Sequence, residues 1–196
     1  VGAGAEPVIG QLTMRAALVA VSLLAAMPAA ASPLDELVSP GGDSACFARN
    51  YDNAHLRKNP RQQTSAMAVW LTTTKDEPGV LLGIAVTRRG DALPFFAQGG
   101  CEWVDGANRD IRGQPVVKAF KKTVGADCMM SARPDVFATL SAKEGGALVI
   151  DRGKDRDTLM VYLDDVLTMV KRANRGKQIS LQFGADDRVF MLGGPI

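Results

Sequence analysis

Met67-Ala68-Val69-Trp70-Leu71-Thr72-Thr73 and, a little further on, Val80-Leu81-Leu82-Gly83-Ile84-Ala85-Val86-Thr87 are the runs whose pattern decides the fold class. In the first, Met67, Val69 and Leu71 alternate with Ala68, Trp70 and Thr72; in the second, Val80, Leu82, Ile84 and Val86 take one face, and Gly83 and Thr87 take the other. A period of two marks a strand with one buried face, because successive side chains leave a strand on opposite sides. Between the runs, Asp76-Glu77-Pro78-Gly79 reads as a turn: proline presets φ and glycine accepts φ > 0. Together they predict an antiparallel hairpin. Trp70 is expected in the core.

Working outward, Arg89-Gly90-Asp91 forms a second turn that leads into strands over 93–98 and 101–104. The same tripeptide spells an adhesion signal, but a turn between two strands explains it fully. After an irregular stretch, 105–125, short strand-like segments recur at 127–131, 136–141 and 147–151, with Lys143-Glu144-Gly145-Gly146 as the clearest turn between them. Residues 158–171 fit two periods: Leu159, Leu163, Val166, Leu167 and Val170 share a helical face, yet Leu159, Val161 and Leu163 also alternate. The β-rich surroundings favour two strands, with Asp164-Asp165 as the turn. Residues 178–183 and 189–192, around Gly184-Ala185-Asp186-Asp187, predict a terminal hairpin. Upstream, Phe47, Tyr51 and His55 recur every four residues and predict a short helix over 46–59, ended by Pro60. The fold class is therefore mainly β, an antiparallel β-sandwich or small β-barrel with one short N-terminal helix.

The first residues speak to location. Met14-Arg15 is followed by the apolar run 16–27, then Pro28, Ala29-Ala30-Ala31 and Ser32-Pro33. A charged start, an apolar stretch and an A-x-A site in that order constitute a secretory signal. The run is too short to cross a bilayer, which takes about 20 residues. Residues 14–31 are accordingly expected to be a signal peptide, 1–13 a start-site extension outside the translated protein, 32–44 a flexible leader, and 45–196 a single β-rich domain in a periplasmic or secreted protein. No stable membrane insertion is expected after cleavage.

Cys46, Cys101 and Cys128 lie in the exported part, where the default use of cysteine is a disulfide. Sequence alone does not select a pairing. Cys101 with Cys128 is favoured, since it would pin both ends of the irregular stretch, worth about 3–4 kcal/mol in the loop-entropy picture. Cys46 would then be free, buried or joined to another chain.

The 196 residues carry a net charge of +2, with 46% hydrophobic and 22% charged residues. That composition suits one globular domain and offers no clustered basic face for nucleic acid; Lys118, Lys121 and Lys122 read as a solvated stretch. With no C-x-x-C and a single histidine, no metal site is expected. The acidic groups 151–157, Asp164-Asp165 and Asp186-Asp187 read as solvated turns, because none has calcium-loop spacing. No cofactor motif is present.

Two end motifs, Cys46-Phe47-Ala48-Arg49-Asn50-Tyr51-Asp52-Asn53-Ala54-His55-Leu56 with Asn59-Pro60-Arg61-Gln62, and Asp186-Asp187-Arg188-Val189-Phe190-Met191-Leu192, resemble small exported proteins of alphaproteobacteria. The resemblance implies a periplasmic setting and a β-rich fold. It implies no activity and transfers no functional residue.

No catalytic constellation is assembled: there is no G-x-S-x-G elbow, and nothing singles out a serine. Tyr51, Asp52 and His55 form a candidate polar cluster on one helix face, readable as a small binding site or as a capping and packing cluster. Trp103, beside the irregular stretch, is the candidate contact aromatic. These features predict a non-enzymatic binding module for a protein or cell-envelope ligand, with the stretch 105–125 as its binding loop. The rival readings are an inhibitor of a cell-wall-degrading enzyme and an enzyme using His55.

Overall fold

The computed structural model describes residues 33–39, 41–73, 75, 80–104, 125–131, 145–155, 157–171 and 177–194. The signal at 14–31, the turn at 76–79, the greater part of the stretch 105–125 and the strand expected at 136–141 lie outside the described residues. The elements run β1 (Ser44–Asn50), α1 (Asn53–Lys58), β2 (Thr64–Thr73), β3 (Val80–Arg88), β4 (Phe95–Val104), β5 (Gly125–Ser131), β6 (Ala147–Arg152), β7 (Thr158–Leu163), β8 (Val166–Lys171), β9 (Gln178–Gln182) and β10 (Val189–Gly193).

The expected hairpin is the β2–β3 pair, with Met67 opposite Val86 and Leu71 opposite Leu82. From it the ladder continues antiparallel through β4, β5, β6 and β7 to β10, which returns to β1. Eight strands thus close on themselves as a barrel, one of the two β architectures expected. The strands are strongly staggered. Followed from Cys101 through Val80 and Thr73, the row of partners meets β1 at Asp43; followed through Cys128, Leu148, Leu163 and Arg188, it meets the line of β1 at Asn53. A stagger of about ten residues over eight strands tilts them steeply to the axis and leaves an interior that side chains fill. Phe47, Val69, Ile84, Cys128, Ile150, Val161 and Leu192, from seven different strands, meet there in one buried cluster.

Residues 158–171 are the two strands favoured from the sequence, but the chain turns a corner at Asp164-Asp165 rather than folding back. β7 pairs with β6 and β10, whereas β8 pairs with β9 and with Phe95 and Phe96 at the start of β4. The β8–β9 hairpin thereby sends Leu167, Met169 and Leu181 into the same core.

Several expectations are corrected. Residues 46–50 are strand and not helix. A spacing of four keeps Phe47 and Tyr51 on one side in either geometry, and β1 pairs with β2 along its whole length, which leaves only Asn53–Lys58 helical. The terminal hairpin does not form: β9 pairs with β8, and a 3-10 turn at Ala185–Asp187 carries the chain across to β10. Trp70 lies on the outer wall, half-buried, its indole flat against Gly83, where a Cβ would come within 1.8 Å of the ring. The break expected at Gly99-Gly100 is absent, and β4 runs straight through it. Residues 33–38, expected as part of a flexible leader, place Leu34, Leu37 and Val38 in the core.

The seam between β1 and β10 has a different chemistry from the other joins. Its backbone register consists of Ala48 opposite Gly193. Beyond that pair side chains take over. Arg49 Nη1 donates to the Met191 carbonyl at 3.3 Å, and the Tyr51 and Phe190 rings meet at 6.2 Å. Asp187, 2% exposed, accepts the Gln63 and Thr64 amides at 2.8 and 2.7 Å. Charge-assisted bonds of this kind are roughly twice as strong as neutral ones. The exposed Arg61–Asp186 pair beside it contributes little by comparison.

The favoured disulfide is present: Cys101 and Cys128 are direct cross-strand partners on β4 and β5, 4.1 Å apart at Cα. At a sequence separation of 27, replacing both by serine should lower the urea-unfolding free energy by about 3.5 kcal/mol. Equilibrium denaturation of the two forms checks this.

Candidate functional site

At the barrel end where β1 finishes and β2 begins, α1 follows β1 in the chain. Asp52 starts the helix: its backbone is extended, and its carboxylate accepts the His55 amide at 2.7 Å. That bond holds the Asp52 carboxyl below its ordinary range. Asn59 ends the helix, its backbone and side-chain N–H groups both donating to the His55 carbonyl. The Arg89 guanidinium donates to the Leu56 and Asn59 carbonyls at 2.6 and 2.7 Å, a favourable place for a cation.

Tyr51, Asp52 and His55 come together, but not on one helix face as expected: Tyr51 and Asp52 precede α1 and only His55 lies within it. His55 Nε2 lies 3.0 Å from Gln62 Oε1. Gln62 donates its own NH2 to the Thr64 carbonyl at 2.8 Å, which leaves Oε1 as an acceptor facing Nε2, and Asn59 Nδ2 lies 3.3 Å from the same nitrogen. The Tyr51 ring packs against the imidazole at 4.7 Å, and the Arg49 guanidinium lies 5.3 Å from the centre of the Tyr51 ring. Burial raises the Tyr51 phenol above its usual range; the Arg49 charge opposes that shift and Asp187 adds to it. Within this cluster Asp52 caps α1, the Tyr51 ring packs on the imidazole, and His55 Nε2 is tethered to Gln62.

Three residues complete this end that the sequence did not single out: Gln62, Arg89 and Asp187. Gln62 and Asp187 are buried, so the reading of Asp186-Asp187 as a solvated turn is corrected for Asp187. An Asp-Asp pair in a polar stretch carries no sign of burial, because its partners are backbone amides 123 and 124 residues away.

Trp103 lies at the opposite end, where β4 finishes and β5 begins, so it does not join the His55 cluster. Its side chain has the inward parity of Cys101, is half-buried and packs against the core. The buried disulfide is the next inward-facing cross-strand pair from Trp103 and Ala126. Pro33–Glu36 forms a 3-10 turn at this same end, its Glu36 paired with Arg152 at the finish of β6. Thr73 Oγ1 donates to the Ser39 carbonyl at 2.8 Å and accepts the Gly42 and Asp43 amides. On the outer wall Asp127 faces Glu102 across β4 and β5. Burial, and then the Glu102 charge, push the Asp127 carboxyl above its usual range. Cys46 is unpaired and half-exposed on β1. Among the described residues, no three His, Cys, Asp or Glu side chains converge on a point that would hold a metal ion.

Compared with known proteins, the chain matches no protein-family model, no curated protein and no solved structure.

The raised carboxyl has a consequence for stability. A folded-state value above the unfolded one disfavours the charged form, so Asp127 is least costly below the ordinary carboxylate range and costs stability as pH rises through its folded value. Asp127→Asn should therefore melt higher than the parent at pH 7, and the difference should close as pH falls towards about 4. Thermal unfolding across that range measures it.

Proposed function

We propose that this chain is an exported, non-enzymatic binding module that holds a protein or cell-envelope ligand at the barrel end carrying Trp103. The observation that carries the reading is the Cys101–Cys128 bridge, placed one inward-facing pair from Trp103. It holds the strand ends on which the stretch 105–125 is mounted, and binding loops work best on a rigid base. Trp103 adds a large, half-buried apolar surface with a hydrogen-bonding tip, the type of side chain that anchors interfaces. The opposite end is a poorer candidate, because Asp52, His55, Gln62 and Asp187 spend their polar atoms on the architecture.

Export is supported by the pattern at 14–31, by the disulfide and by the resemblance to alphaproteobacterial exported proteins. Polarity agrees with a life in water. The interior is apolar, and the outer faces of β4, β5 and β6 present Gln98, Glu102, Asp127 and Asp151 beside the exposed Met129, which places charged groups on the outer wall where a barrel that faces lipid carries few. Among the described residues no helix is long and apolar enough to cross a membrane.

The test is a pull-down with the purified chain, from residue 32 onward, against periplasmic extract and cell-wall fractions, followed by titration of whatever is retained. Saturable binding that falls by about tenfold or more in Trp103→Ala and is unchanged in His55→Ala is the expected result. Loss of binding in His55→Ala, with Trp103→Ala unaffected, would overturn the assignment.

A further inference from the structure

The 3-10 turn at the Trp103 end resembles a ligand more than a structural element. It belongs to no ladder, yet Leu34, Leu37 and Val38 are 4%, 7% and 4% exposed and join the barrel core. The Leu37 and Val38 amides both donate to the Leu34 carbonyl, which winds the three side chains onto one side of a single turn. Those side chains bring about eleven carbons of aliphatic bulk to the end of the barrel. Glu36, on the exposed side of the turn, places its carboxylate on the Arg152 guanidinium at the rim. The segment is thus an aliphatic body with an anionic head, seated against a partner of matching chemistry on each count.

Resting on the reading of this end as the binding end, we infer that it accepts a single-chain carboxylate amphiphile. The acyl chain, about ten carbons long, takes the place of Leu34, Leu37 and Val38, and its carboxylate takes the place of Glu36 on Arg152. Residues 34–38 are then a tethered surrogate that the ligand displaces. The tether is suited to this. Gly41 and Gly42, at φ values of 102° and 104°, turn the chain between the segment and β1, and the segment leaves by giving up the Thr73 Oγ1–Ser39 carbonyl bond. On the barrel side of the two glycines the Thr73 amide donates to the Asp43 carbonyl, so β1 stays anchored when the turn leaves. Trp103 at the same end extends the apolar lining that the acyl chain meets.

Surrogate and ligand compete, so the apparent affinity scales with the fraction of molecules in which the turn has left. Calorimetric titration of the chain from residue 32 onward with decanoate and, separately, with decanol tests this. Glu36→Gln, a surface change that frees Arg152, should tighten decanoate by about fivefold or more. Leu37→Ala should tighten both probes, and Arg152→Gln should weaken decanoate by about tenfold while leaving decanol unchanged. Decanoate binding that is absent or unaltered in Glu36→Gln would overturn the inference, and that variant decides the matter should Leu37→Ala fail to fold. No decanoate binding alongside Trp103-dependent capture in the pull-down overturns this ligand class and leaves the binding end standing. Failure of both removes the two together.

Discussion

A barrel is stable only if its last join holds, and here that join is made mostly by side chains. β1 is laddered to β2 along its whole length and β10 likewise to β7, but the two meet by backbone at Ala48 and Gly193. The Asp187 carboxylate, buried and bound to the Gln63 and Thr64 amides, ties the approach to β10 onto the start of β2. A buried carboxylate is costly unless its oxygens are bonded, so this contact tolerates little displacement. Without it the strand edges on either side of the seam would present unpaired amide and carbonyl groups, an invitation to pair with another chain. Arg49 and the Tyr51–Phe190 contact add to the join.

That arrangement divides the labour between the two ends. The α1 end is occupied with closure: Asp52 caps, His55 and Gln62 tether, and Arg89 neutralises the carbonyls at the helix terminus. The Trp103 end has its own rigidity from the disulfide. A fold that fastens one end with polar contacts and the other with a covalent bridge leaves the second free to vary its rim chemistry. The apolar turn seated there, with its carboxylate on Arg152, is the feature that gives this freedom a direction.

Much of the architecture was legible in the residues. The alternation in β2, β3 and β7 is local, and a half-buried strand states its own period; the Cys101–Cys128 pairing is favoured among three because the two flank an irregular stretch, and it is the one present. What was not legible depends on distant partners. A spacing of four between Phe47, Tyr51 and His55 satisfies both a strand and a helix, and only pairing with β2 separates them. The turn at 184–187 looked like a hairpin because nothing nearby reveals that Asp187 reaches back to Gln63. Likewise the sequence put Tyr51, Asp52 and His55 on one helix face, whereas the helix begins only after Asp52. It was silent on Gln62, which ties His55 to the Thr64 carbonyl.

The dependence of the barrel on the Asp187 contact is best tested by amide hydrogen exchange, comparing the parent chain with Asp187→Asn. An asparagine amide cannot accept from both backbone N–H groups through two oxygens, so one is left unsatisfied. Protection should fall first and most in β1, β10 and the start of β2, while β4 and β5, held by the disulfide, keep theirs. Equal loss across all strands, or no loss at the seam, would contradict the account.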